Sequence, residues 1–144
     1  MSTLEEQIEI GAPADATWEH LHRVVDYPRF VDGVLHAHAR GSHRAHLDVA
    51  VDGGHREFDA YFTDLGRGRV MTWQTVDGPP LRGAIALRPL GAGRTRVQVR
   101  IEYEPAAVAE VFGGGHGFAQ ASAIERTVRS DLEQFKQLVE DEQR

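Results

Sequence analysis

Cysteine is absent from the 144-residue chain, which excludes disulfide bonds, thiolate metal centres and a cysteine nucleophile. Basic charge is scarce as well. Sixteen Lys and Arg stand against 22 Asp and Glu, a net charge of −6, so the chain offers no electrostatic footprint for nucleic acid or for an anionic lipid surface. No apolar run approaches the ~20 residues of a membrane-spanning helix. The opening residues MSTLEEQIEI lack the basic and apolar stretches of a signal peptide, and a cytoplasmic location is expected. No Pro/Ser-rich linker, composition shift or internal repeat divides the chain, so residues 1–144 are expected to form a single domain. A P-loop, a G-x-G-x-x-G after a strand, a G-x-S-x-G elbow and an H-E-x-x-H helix are all missing, which argues against nucleotide enzymes and hydrolases. No cofactor is expected.

What is present is an ordered change of period. Ile8 and Ile10 alternate with polar neighbours as a first strand, Gly11-Ala12 ends it, and Pro13 opens a helix carrying Trp18, Leu21 and Val25. A second short helix is expected at Asp26–Asp32, with Asp26 as N-cap and Phe30 as its apolar anchor. From Gly33 the period falls to two, and six more strands follow, separated by Gly-rich turns. The clearest of them sets Val97, Val99, Ile101 and Tyr103 against Arg96, Gln98, Arg100 and Glu102. The chain closes on a helix expected over 118–142, with Ile124, Val128, Leu132, Phe135 and Leu138 or Val139 on one stripe and charged residues, Asp131 among them, around the rest of the wheel. The predicted fold is α+β: a seven-stranded antiparallel sheet wrapped around a long C-terminal helix, with two short helices after strand one.

The segments IEIGAPADATW, DYPRFVDGV, WQTVDG, RVQVRIEYEP and the closing DLEQFKQLVE resemble, in that order, the helix-grip chains of the START-like superfamily. Within it the likeness is to the bacterial polyketide cyclase/dehydrase and lipid-transport group, and it extends over nearly the whole chain. The resemblance implies a hydrophobic small-molecule partner held between sheet and helix. It leaves two roles open: cyclisation or dehydration of a polyketide or aromatic, and carriage of a lipid, isoprenoid or quinone. On that arrangement the ligand is expected against Leu47, Val49, Phe58, Ala60, Phe62, Met71, Trp73, Thr75, Ile85, Leu87, Val99 and Ile101 of the concave face, and against Ile124 and Val128 of the helix.

Three polar residues are the candidates for chemistry there. Tyr103 ends the last strand on the inward register and is a donor or weak acid. Arg56 shares that register beside a tight turn. His116 lies in Gly113-Gly114-Gly115-His116-Gly117, between the last strand and the last helix, where four glycines suit a lid.

A separate group falls on the outward face. If the first hairpin turns at Ser42, His38 faces His46 and His36 faces Asp48; a turn centred on Gly53-Gly54 then sets Asp48 against Asp59 and His46 against Tyr61. His36, His38, His46, Asp48 and Asp59 thus form a polar patch whose residue types suit a Zn²⁺ or Ni²⁺ ion; a solvated polar face is the competing reading, and no metal site is assigned.

Overall fold

The first strand zips onto the last through an unbroken register from Ser2↔Tyr103 to Ile10↔Thr95, so the chain's two ends of β-structure lie side by side. The computed structural model describes residues 2–51, 53–65, 69–77, 80–106 and 121–143. Its elements are β1 (Ser2–Ile10), α1 (Ala14–Leu21), a 3-10 segment (Val24–Arg29), β2 (Val34–Ala39), β3 (Arg44–Val51), β4 (Gly54–Leu65), β5 (Val70–Thr75), β6 (Leu81–Pro89), β7 (Thr95–Tyr103) and α2 (Ala121–Glu142). The strands form one antiparallel sheet in the order β1-β7-β6-β5-β4-β3-β2. Every neighbour but β1 is reached by a hairpin; β1 joins the far edge because α1 and the 3-10 segment carry the chain across the sheet. The expected helix-grip architecture is what is found.

The short elements differ from expectation in detail. The segment expected as a helix over Asp26–Asp32 is a 3-10 helix that begins at Val24, and Asp26 lies inside it rather than capping it, its N–H donating to the Arg23 carbonyl at 3.0 Å. The reason is local. Tyr27 donates its hydroxyl to the Leu21 carbonyl at 2.7 Å, which draws the chain back onto α1 and tightens the turn, and Pro28 has no N–H for an α-helical bond.

The β2–β3 register pairs His38 with His46 and His36 with Asp48 as expected, with an irregularity between Val34 and His36. The β3–β4 register does not match: His46 pairs with Asp59 and Asp48 with Glu57. The turn is closed by Val51↔Gly54, one residue earlier than expected, because Gly53 at φ +84 takes the left-handed position. Moving the turn centre by one residue shifts the pairing by two, which keeps every side chain on its expected face.

Helix α2 crosses the concave face. Val139, Ile10 and Val97 are fully buried where helix meets sheet, and Phe135 packs against Phe30 at 4.9 Å between ring centres. Its seam with β1 is polar: Glu140 accepts the Gly11 N–H at 2.7 Å, and Arg129 pairs with Glu6 at 3.3 Å. The Glu140 contact holds the C-terminal end of α2 against the end of β1, and the Arg129 pair ties its middle to β1. Toward its N-terminal half the sheet and helix enclose a cavity.

Candidate ligand cavity

The cavity has a volume of about 340 Å³, within the range of small-molecule pockets. Its floor is the inward face of β3 to β7, its roof is α2, and its end wall is the 3-10 segment with the residues that follow it. Of the residues expected from the sequence, Leu47, Val49, Phe58, Ala60, Phe62, Met71, Trp73, Thr75, Ile85, Val99, Ile101, Ile124 and Val128 all line it. Leu87 does not: it is 4% exposed and packed in the core with Ile10 and Leu21, because β6 is covered there by α1. Leu21, Tyr27, Phe30, Val31, Asp32 and Val34 complete the wall from the N-terminal third of the chain. They escape a strand-based reading because α1, the 3-10 segment and the residues leading into β2 present them.

The candidates for chemistry divide. Tyr103 lines the cavity and is buried at 3% exposure, beside Ile124. Arg56 pairs with Val49 on the expected face, but its side chain is exposed and is not part of the lining; it stands three residues from the hairpin turn, where no helix among the described residues covers the sheet. His116 and its glycines lie outside the described residues.

The polar group that sequence reading missed is Asp131. On the wheel it counts as one more charged position, yet it lines the cavity together with its helical neighbours Thr127, Val128 and Leu132. The spacing holds the clue: Ile124, Asp131 and Leu138 are seven residues apart, two turns each, so the carboxyl lies in the middle of the apolar stripe. Asp131 Oδ1 accepts the backbone N–H of Asp32 at 3.0 Å. Gly33, at φ +91, turns the chain into β2 immediately after Asp32, a conformation that residues with a side chain rarely adopt. Burial pushes the Asp131 carboxyl up to about 7; the Asp32 N–H opposes that rise and the negative charge of Asp32 adds to it. Tyr27, also in the wall, has its phenol pushed above the ordinary range, first by burial and then by the charge of Asp64. Thr75 in the floor is engaged in closing the β5–β6 turn, donating to the Leu81 carbonyl at 3.3 Å and accepting the Leu81 N–H at 3.2 Å.

The outward histidine patch is an ion-pair network. His46 places Nδ1 2.7 Å from Asp59 and Nε2 2.8 Å from Glu57, while Asp59 also meets Arg40 at 3.4 Å and Arg44 at 3.2 Å. Both ring nitrogens face carboxylates, so the ring is held as an imidazolium with no lone pair for a metal ion. Hydrogen bonds donated to Glu57 and then to Asp59 raise its pKa, and the bond from His46 holds the Asp59 carboxyl below the usual range. His38 stacks beside it at 5.1 Å, and His55 bonds to Asp48 at 2.7 Å. Among the described residues no group of three or more His, Asp or Glu side chains is placed to hold a metal. The Asp59 carboxylate of this patch is engaged by His46, Arg40 and Arg44, and that of Asp48 by His55.

The signature of the polyketide cyclase/dehydrase and lipid-transport family matches residues 1–140. The chain belongs to that family. A family relative, an uncharacterized 17.2 kDa protein of Streptomyces lincolnensis, is 30% identical over 142 residues, covering 98% of this chain and 91% of the relative. Among solved structures, the Zhui aromatase/cyclase of Streptomyces sp. R1128 has a TM-score of 0.77 at 19% identity, covering 99% of this chain and 96% of that one. A START superfamily protein from Mycobacterium smegmatis has a TM-score of 0.68 at 16% identity, covering 97% and 95%. The chain spans about half, 47%, of the di-domain aromatase/cyclase BexL. These structural likenesses establish the helix-grip fold that the family shares; the chemistry rests on the cavity itself.

Proposed function

We propose that the protein binds a hydrophobic small molecule of the polyketide or related aromatic class between the sheet and α2, and that it promotes cyclisation or dehydration of that molecule. The observation that carries this reading is Asp131, a carboxyl with a pKa of about 7 held by a backbone N–H in a cavity walled largely by hydrocarbon and aromatic side chains. The family's description and the aromatase/cyclase among the structural neighbours support it.

Near neutral pH such a carboxyl is present in both forms, so it serves as base and as acid within one cycle. In an intramolecular aldol condensation, Asp131 as carboxylate removes a proton from a carbon between two carbonyls. The enolate carbon then bonds to a carbonyl carbon further along the same chain, and the resulting alkoxide takes the proton back. Dehydration follows the same path: a second proton leaves carbon for the carboxylate, a C=C bond forms, and the hydroxyl departs as water carrying that proton. Tyr103 is the donor for the oxygen on which charge develops. The apolar walls hold a flexible poly-β-ketone in one reactive conformer.

The test is a product assay with a short aromatic poly-β-ketone mimic alongside a binding titration. Asp131→Asn keeps the size and the acceptor oxygen but removes the titrating proton. Turnover should fall roughly 10²–10⁴-fold with affinity nearly kept, the range for one acid/base group. Tight binding with the same product profile with and without the wild-type protein would contradict catalysis and leave a carrier.

A further inference from the structure

Across the cavity floor one register row runs Phe62, Trp73, Gly83, Ile101 over four adjacent strands. Phe62, Trp73 and Ile101 line the cavity, and the row is interrupted where Gly83 has no side chain. The gap is occupied. A Cβ built at Gly83 would stand 2.8 Å from both Cε2 and Cζ2 of Trp73, and 2.6 Å from the Arg100 carbonyl oxygen. The indole therefore lies over the bare backbone of β6, in space that any other residue would fill. Any side chain at position 83 forces the indole up into the cavity and presses β7 away. Gly83 does not adopt a positive φ, so its requirement is close approach and not backbone conformation.

We propose that Trp73, laid down over Gly83, is the ring-recognising platform of the cavity, that Gly83 is the residue that positions it, and that the ligand it selects is a planar unsaturated ring system rather than a saturated chain. The inference rests on the reading of this cavity as the ligand site. Its physical ground is that a rigid indole with Phe62 beside it offers a broad π surface at little conformational cost, and ring pairs gain attraction beyond the area they bury. A saturated chain gains only burial from the same floor, and loses conformational freedom on entering. The volume of about 340 Å³ depends on the indole staying down, so Gly83 sets the depth of the site as well as its floor.

The chain has two tryptophans, Trp18 and Trp73. Trp18 packs against His22 and the core and is not part of the cavity lining. Trp18→Phe therefore leaves Trp73 as the sole tryptophan emitter. This variant is titrated with 1,8-dihydroxyanthraquinone and, separately, with dodecanol; quenching reports the first, and displacement of a bound hydrophobic dye reports both. The anthraquinone should quench Trp73 and bind about tenfold tighter than dodecanol. Gly83→Ala in the same background should weaken the anthraquinone about tenfold and dodecanol less than twofold. Because the Arg100 carbonyl also faces that methyl, Gly83→Ala can fail to fold; Trp73→Leu, which leaves the sheet backbone alone, should then abolish the preference for the planar probe while keeping dodecanol binding. Equal affinity for the two probes, or a preference that survives Trp73→Leu, overturns the inference and leaves the cavity reading standing. Failure of both probes to displace the dye overturns the cavity reading and the inference with it.

Discussion

Asp131 Oδ1 accepts the backbone N–H of Asp32 at 3.0 Å, which ties the middle of the roof helix to the residue just before β2. The bond links the helix to the end wall of the cavity and sets a titratable carboxyl among apolar side chains. Two consequences follow from its displaced pKa, one for stability and one for the ligand.

For stability, the folded-state pKa of about 7 lies above the ordinary 3.8. Below pH 4 the group is protonated whether folded or unfolded. As pH rises from 4 to 7 the unfolded chain releases the proton and the folded protein keeps it, so stability falls across that window and the full loss persists above it. Asp131→Asn retains the acceptor oxygen and removes the charge. It should raise stability at pH 8 by on the order of 2 kcal/mol and leave it nearly unchanged at pH 4. Urea unfolding at both pH values measures this; an equal effect at the two, or a loss at pH 8, would contradict the buried-carboxyl account.

For the ligand, the ionised carboxylate is the form that disfavours an apolar neighbour. Affinity for a neutral hydrophobic probe should therefore weaken severalfold between pH 6 and pH 8.5 in the wild type and stay flat in Asp131→Asn. A fluorescence titration across that range decides it, and parallel curves for the two proteins would remove Asp131 from the site.

On the opposite face, His46 bridges Asp59 and Glu57 across β3 and β4, with side chains 16% exposed for His46 and 9% for Asp59. The raised pKa of His46 makes its contribution fully present below its ordinary 6.5 and lost as pH climbs through the higher folded value. The lowered pKa of Asp59 makes its contribution present above 3.8 and lost as pH drops through the lower folded value. The pair thus supports the hairpin most between about pH 4 and 6.5. His46→Ala should cost roughly 1–2 kcal/mol at pH 5.5 and less at pH 9. A cost independent of pH would show that His46 acts through packing alone.

Tyr103→Phe preserves a ring buried at 3% exposure beside Ile124 and removes a hydroxyl from the cavity wall. Binding should weaken by only about 0.5–1.5 kcal/mol. Turnover should fall more than binding does, by roughly 10²-fold, if the hydroxyl donates to the developing oxyanion. Equal losses in kcat/KM and affinity would reduce Tyr103 to a binding contact.

Alternation made the sheet legible: a period of two along Val97, Val99, Ile101 and Tyr103 is enough to assign the inward face, and that face is the cavity floor. The β2–β3 register was legible too, because His38↔His46 follows from a turn at Ser42. The β3–β4 register was not, since Asp52-Gly53-Gly54 offers two turn centres and local sequence does not choose between them. Arg56 shows the limit of parity: alternation gives the face and is silent on whether anything covers it. Asp131 was hidden for a different reason. A helical wheel assigns charge to solvent by default, and only the heptad from Ile124 to Leu138 shows this carboxyl in the buried stripe. The Trp73–Gly83 contact depends on which residues face each other across β5 and β6, which no single strand encodes.

The central claim is that a hydrophobic ligand occupies the space between the sheet and α2, and replacing Ala60 tests it most directly. Ala60 lines the cavity at 3% exposure, so a tryptophan there fills the space with little change elsewhere, at a stability cost of about 1–3 kcal/mol. An environment-sensitive hydrophobic dye should bind the native wild type, and Ala60→Trp should weaken that binding at least tenfold with the far-UV circular dichroism unchanged. Equal dye affinity in the two proteins would place the bound dye elsewhere and contradict the account.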